Sequence, residues 1–233
     1  MKRTLLSLLT VLWFLSHSQQ NYPTISLCLS AAQPRGMFKE ITPDISFYWG
    51  GTFGAAFPVS ENIPIRLGFD ISGYFMGSQS ESFTFPDLMG GYTYQNTNVA
   101  ASMWPVHFNV RLDPVKLTNV PIQPYGGALI GFRVFNSRTK SDISYSFDPE
   151  ETTYKTRNIN LTSSYGFELG VHIRATDEMG IDFRYSIVWG GWGKYVDFET
   201  LTFDDNGDPQ YQRHETRTDI RTFTVGVYWL ILD

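Results

Sequence analysis

TFTVGVYWLILD, residues 222–233, alternates strictly in its first eight positions. Phe223, Val225, Val227, Trp229 and Ile231 take one side, and Thr222, Thr224, Gly226 and Tyr228 take the other. A period of two is that of a β-strand with one apolar face. Whether that face meets a protein core or a lipid decides the fold.

The same period returns along the chain. In 44–58 (DISFYWGGTFGAAFP), Ile45, Phe47, Trp49, Phe53, Ala55 and Phe57 oppose Ser46, Tyr48, Gly50, Thr52 and Gly54. Residues 64–76, 103–113, 124–135, 165–174 and 181–189 repeat the pattern, and TISLCLS (24–30) offers a weaker first strand, so that eight strands are expected with the C-terminal one. Beyond residue 18 no segment keeps a 3.6-residue apolar period over three turns. Gly (20), Phe (18) and Tyr (13) are plentiful, and together these features point to an all-β protein.

Residues 1–18, with Lys2, Arg3, an apolar run from Leu5 to Leu15 and Ser16-His17-Ser18, have the form of a secretory signal peptide cut before Gln19. The run is too short for a spanning helix. The expected domain is then 19–233. Loss of Lys2 and Arg3 from the 18 basic residues leaves 16 against 23 acids, a net charge of −7. An acidic exported chain argues against nucleic acid as a partner. The single cysteine, Cys28, allows no intrachain disulfide and is expected to be a buried thiol.

The connections alternate in length. Residues 59–63, 114–120 and 175–179 are short; 77–102, 136–160 and 190–216 are long, polar and rich in Tyr, Thr, Asp and Asn; 31–43 is intermediate. Short turns at one end and long loops at the other are the layout of an up-and-down transmembrane barrel, with turns in the periplasm, loops outside, and both termini on the periplasmic side.

Two features say which face is inside. The polar side carries Gly50, Gly54, Gly68, Gly127, Gly131, Gly166, Gly170 and Gly226, which a narrow interior favours and a solvated strand does not. It also carries Arg66, Arg111, Arg133, Arg174 and Arg184 against Asp70, Glu168 and Asp182, with His107 and His172. All five cations are Arg, the residue suited to crowded, desolvated pairing. The expected network joins Arg174, Arg184 and Arg133 to Glu168 and Asp182 and plugs the lumen. The bland reading makes it a stiffening core; the sharper one makes it a narrow conducting path. Trp49, Trp104, Trp189, Trp192, Tyr195 and Trp229 fall near strand ends, where aromatic girdles belong.

Thr224, Gly226, Trp229 and Ile231 follow the spacing of the C-terminal assembly signal of outer-membrane barrels, departing from it in ending Leu232-Asp233. With PYGGALIGFRVF and YGFELGVHIRATDEMGIDFRYSI, the chain resembles the small outer membrane protein β-barrel family, OmpA/OmpX-like eight-stranded barrels of porin-family type, over roughly residues 24–232. The resemblance implies residence in the bacterial outer membrane, contact with its lipid, and handling by the barrel assembly machinery.

Some barrels of this kind modify lipids with a His, a Ser and an acid at the outer rim. Here neither His107 nor His172 has a serine two residues on. His214, beside Glu215 and near Asp219, could serve catalysis or a metal, but a loop histidine beside acids is most often only solvated. Asp204-Asp205-Asn206-Gly207-Asp208 lacks EF-hand spacing and reads as a hydrophilic turn. No catalytic residue, metal site or cofactor is expected. The expected role is structural, or binding of an extracellular ligand or protein through the long loops. An accessory subunit of a secretion or transport complex, a rim enzyme and a soluble lipocalin-like binder remain as alternatives.

Overall fold

The computed structural model describes residues 22–42, 47–60, 63–86, 91–113, 121–145, 148–196, 200, 202–203, 209–210 and 212–231, with backbone alone at 148–151, 195–196, 203 and 209. The expected signal peptide, the first residues of the expected 44–58 strand, the Asp204–Asp208 turn and Leu232-Asp233 lie outside the described residues or largely so.

The elements are β1 (Thr24–Pro34), α1 (Met37–Ile41), β2 (Tyr48–Ser60), β3 (Ile63–Pro86), β4 (Tyr92–Leu112), β5 (Ile122–Tyr145), β6 (Asp148–Arg174), β7 (Met179–Gly190), β8 (Trp192–Val196), β9 (Thr202–Phe203), β10 (Pro209–Gln210), β11 (Arg213–Arg217) and β12 (Ile220–Leu230). Eight of the strands close into an antiparallel barrel in the order β1-β12-β7-β6-β5-β4-β3-β2. β1 pairs with β12 from Thr24↔Leu230 to Pro34↔Ile220 and seals the ring, so each stave has a partner on both sides. This is the expected up-and-down barrel with the expected strand count.

The faces are inverted relative to a water-soluble barrel. Leu29 is 73% exposed, Ile130 68%, Leu169 67% and Phe167 60%, whereas Arg133 and Asp182 are each 0% exposed. Arg66, Asp70, His107, Arg111, Glu168, His172 and Arg184 are buried too. Fully exposing so many Leu and Phe side chains to water is unfavourable by roughly 1.5–3 kcal/mol each. A continuous apolar belt on a closed barrel is the surface of a membrane-spanning barrel.

Strand length corrects the sequence reading. β3 and β5 have 24 residues each, β4 has 21 and β6 has 27. About ten tilted residues suffice to span the apolar band. The segments 77–102 and 136–160 are therefore largely hairpin ladder rather than loop. β2 leaves β3 at Trp49↔Phe75 and β7 leaves β6 at Ser164↔Gly190, while β3, β4, β5 and β6 continue side by side as a four-stranded sheet beyond the barrel. A register shift between Phe75 and Gly77 marks where β3 departs. Apolar alternation ends where the membrane belt ends, but burial still alternates: Thr93, Gln95, Thr97, Val99, Ser137, Thr139 and Ser141 are buried on one face, and Ser, Thr, Asn and Tyr suit such a strand. Segment 190–216 likewise holds the β8–β11 and β9–β10 pairs.

The expected connection 31–43 is also different. β1 continues to Pro34, and Gly36, at φ 54°, turns the chain into the single-turn helix α1. The Thr42 hydroxyl donates to the Phe38 carbonyl at 2.8 Å and stops the helix. Five residues leave too short a period to recognise in sequence.

The apolar belt predicts the cost of charging it. Phe167→Arg, midway along the lipid-facing positions of β6, should lower the stability of the bilayer-inserted barrel by about 2–4 kcal/mol in urea titrations followed by tryptophan fluorescence. An equal substitution on the four-stranded sheet, at Ser80, should change it by less than about 0.5 kcal/mol.

Candidate functional site

The polar faces of the staves converge on one buried charge network. Arg111 Nε meets Glu168 Oε1 at 2.6 Å, and its Nη2 meets Asp70 Oδ2 at 3.1 Å. Arg184 Nη1 meets Asp70 Oδ1 at 2.8 Å and lies 3.6 Å from Glu168 Oε2, while its Nη2 meets Asp182 Oδ2 at 2.7 Å. Asn109 Nδ2 donates to Asp70 Oδ2 at 2.6 Å, and Tyr125 Oη donates to Asp182 Oδ1 at 2.7 Å. Two guanidiniums thus bridge three carboxylates, and Asp70 is the node to which both hydrogen-bond.

Local sequence makes the junction possible. Arg111, Gly127 and Glu168 stand in one row across β4, β5 and β6. A Cβ on Gly127 would lie 3.0 Å from Glu168 Oε1 and 3.2 Å from Arg111 Cγ, so the missing side chain is what lets charges from non-adjacent strands meet. His172 lies between the Tyr125 and Tyr228 rings, with centroids 4.5 Å away on each side, and its Nε2 is 3.5 Å from Asp182 Oδ1. His107 Nε2 and Ser164 Oγ are 2.8 Å apart. Hydroxyls line another wall, with Ser30 bonded to Thr52 at 2.7 Å and Thr52 to Ser72 at 2.8 Å.

Above the charges, toward the hairpin end, the filling becomes apolar. Phe38 of α1 is fully buried and packs with Tyr48, Tyr74, Met103, Phe135 and Ile220. Its ring meets Phe135 edge-on at 6.2 Å and Tyr48 at a tilt at 6.1 Å between centroids. The space between the two layers, bordered by Asp70, His107, Glu168, Arg184 and Leu129, is about 30 Å³, room for only a water or two.

Two expected pairings are corrected. Among the described residues Arg133 pairs with no carboxylate; it donates to the Thr218 carbonyl and, at 3.2 Å, to the Val188 carbonyl. Arg174 bonds Asp177 and, at 3.1 Å, the Thr176 carbonyl in the β6–β7 turn. Arg174 stands six residues from Glu168 along β6, and Arg133 faces Thr162, six residues on the other side. Six residues of strand extend roughly 20 Å, too far for an ion pair. Arg184 alone keeps its expected partner Asp182. Arg66 pairs with Asp113 at 2.7 Å.

Asp113, Asn109, Tyr125 and Ser164 were missing from the sequence expectation. Their signal was parity: Asp113 and Asn109 share the polar side of Arg111, and Tyr125 that of Gly127. Only the register, which alternation does not supply, gives the partners.

Thr224, Gly226, Trp229 and Ile231 lie on or next to β12, the closing stave. Thr224 faces the lumen and shares a 3.2 Å hydrogen bond with Ser30, Gly226 stands opposite Cys28, and Trp229 and Ile231 face outward. Cys28 is a free, buried thiol. His214 lies on β11 opposite Tyr195, outside the barrel. Among the described residues no three His, Cys, Asp or Glu side chains are grouped to hold a metal.

No family model matches the sequence, and no curated protein matches it. Solved structures similar to it include Neisserial surface protein A, at 13% identity over 90% of this chain and 97% of that one, TM-score 0.38. Others are the attachment invasion locus protein Ail of Yersinia pestis in complex with the heparin analogue sucrose octasulfate (9% identity, 91% and 100% covered, TM-score 0.39) and the outer membrane protein OprG from Pseudomonas aeruginosa (10%, 94% and 100%, TM-score 0.45). The barrel is established by its own strand order and register.

Removing the shared node should be costly. Asp70→Asn leaves Arg111 and Arg184 short of a buried counter-charge and should lower stability by about 3–5 kcal/mol in lipid-reconstituted urea unfolding. Glu81→Gln, on the exposed part of β3, serves as the neutral control, with a change under about 0.5 kcal/mol.

Proposed function

We propose that this chain is an integral barrel of the bacterial outer membrane with a structural or surface-binding role, a plugged lumen and no catalysis. The observation that carries the reading is the pairing of an exposed apolar belt with a lumen filled from the charge network up to Phe38. Eight staves leave an interior only wide enough for side chains, and a column so filled offers a solute no path. The N-terminal leader supports export, and the spacing of Thr224, Gly226, Trp229 and Ile231 on the closing stave supports recognition by the barrel assembly machinery. In this reading the β2–β3, β4–β5 and β6–β7 turns lie in the periplasm, and the four-stranded sheet with the β8–β11 pair stands outside the cell, presenting Tyr, Asn and Thr side chains to an extracellular ligand or partner.

The positions of the nucleophiles and bases support the non-catalytic reading. His107 and Ser164 are bonded but sealed between the charge network and the apolar plug, away from any lipid. His214 stands on a solvated hairpin outside the barrel.

Membrane fractionation should recover the chain with outer-membrane lipid, and the unboiled protein should migrate differently from the boiled one on a gel. In planar bilayers the wild-type barrel should give no large, stable single-channel steps. Sustained steps would overturn the plugged lumen while leaving the barrel in place.

A further inference from the structure

The outward face of the four-stranded sheet carries an arrangement that folding alone disfavours. Arg138 of β5 stands directly opposite Arg157 of β6, and Lys140 directly opposite Lys155. All four are exposed. Like charges placed opposite one another across a ladder are destabilising, and here two such rows are stacked. On β4 their neighbours are Ala100 and Asn98, which bring no charge. The one carboxylate described on this patch is Asp142, which Lys140 Nζ meets at 2.5 Å and the Thr153 hydroxyl at 2.6 Å. Among the described side chains, four cations thus stand beside one anion. Arg157 is held by its Nε, which donates to Asn136 Oδ1 at 2.6 Å. That bond orients the guanidinium and uses only one of its donors.

Height and side decide what such a patch meets. On β6 the apolar belt ends at Leu161 and Ile159, 64% and 59% exposed. Arg157 and Lys155 are the next two positions on that same outward face. At about 3.3 Å per residue they lie roughly 7 and 13 Å along the strand from Ile159, which a tilt of about 40° makes roughly 5 and 10 Å of height, from within the headgroup layer to its outer margin. The quartet therefore looks sideways into the headgroup layer rather than up into the medium. Arginine forks and lysine ammoniums at that depth suit phosphate oxygens.

We propose that Arg138, Lys140, Lys155 and Arg157 bind the phosphorylated headgroup of a lipid in the leaflet at the hairpin end of the barrel. The inference rests on the membrane-spanning reading given above. The phosphate adds counter-charge beside the quartet, and the lipid in turn fixes the depth of the barrel.

The test uses the folded full chain in phosphatidylcholine nanodiscs doped with a bis-phosphorylated glucosamine lipid, or with the same lipid dephosphorylated. The amount of doped lipid retained by the barrel is read by mass spectrometry. The wild type should enrich the phosphorylated lipid and ignore its dephosphorylated form. Each of Arg138→Gln, Lys140→Gln, Lys155→Gln and Arg157→Gln should cut the enrichment about five-fold, from about 1 kcal/mol per cation. Arg217→Gln, on β11, should not. The single variants relieve repulsion and should keep the heat-modifiable gel shift. Inorganic phosphate should compete only weakly, because a free ion lacks the membrane anchor; full displacement by it at low concentration would overturn the assignment to a lipid. Equal retention of both lipids, unchanged retention in the variants, or capture of a soluble sulfated oligosaccharide in place of the lipid would overturn the proposal while the inserted barrel stands. A chain that enters no bilayer would overturn the membrane reading and this proposal with it.

Discussion

A barrel of eight staves is so narrow that a charge turned inward has nowhere to go but to another charge. That constraint organises the interior. Desolvating a lone carboxylate or guanidinium costs several kcal/mol, and a pair recovers this only when its geometry is close and its remaining donors and acceptors are used. Asp70 meets the condition by accepting from Arg111, Arg184 and Asn109 together. Arg133, lying above the carboxylates, meets it only in part: its terminal nitrogens donate to the Thr218 and Val188 carbonyls, while its buried Nε has no partner among the described residues. The glycines of the polar faces belong to the same constraint. Gly127 yields its side-chain volume so that Arg111 and Glu168 can touch across it.

The exterior follows from the same closure. Once the ring is sealed through β1 and β12, backbone hydrogen bonds are satisfied within it and the outer surface can be uniformly apolar. That surface then limits itself. Where the belt stops, near Ile159 on β6, polar residues take over both faces, yet the ladder between β4, β5 and β6 continues for many more rows. The barrel templates a sheet that no longer needs the membrane.

Much of this was written in the sequence as parity. Alternation assigned Phe167 and Leu169 to one face and Glu168 to the other, and gave eight staves with their closing strand. Parity says nothing of height, however, and height separates partners from strangers. Arg174 and Glu168 share a face and a strand, yet six residues keep them apart. Arg111 and Glu168 lie on strands with another between them, and they meet because the register puts both beside Gly127. Pairing was therefore legible only as a list of participants. The polar hairpin extensions escaped for a different reason. The sequence signal for a strand is an apolar face, and 93–101 on β4 buries Thr93, Gln95 and Thr97 on one face and exposes Asn96 and Asn98 on the other, so its alternation is mostly polar on both. The α1 plug escaped because a single helical turn has no period.

Phe38 shows how interior and exterior requirements combine. The charge network ends below the hairpin end of the barrel, and a polar lumen left open there would let water reach Arg133 and the network beneath it, weakening each ion pair by raising the local dielectric. A further charged row there would need partners of its own. An apolar stopper costs no pairing at all. The chain makes one by turning back at Gly36 after the first stave, so that α1 drops Phe38 among Tyr48, Met103 and Phe135. The stopper keeps the network dry, the dry network holds the staves in register, and the register carries the outward sheet beyond the membrane belt.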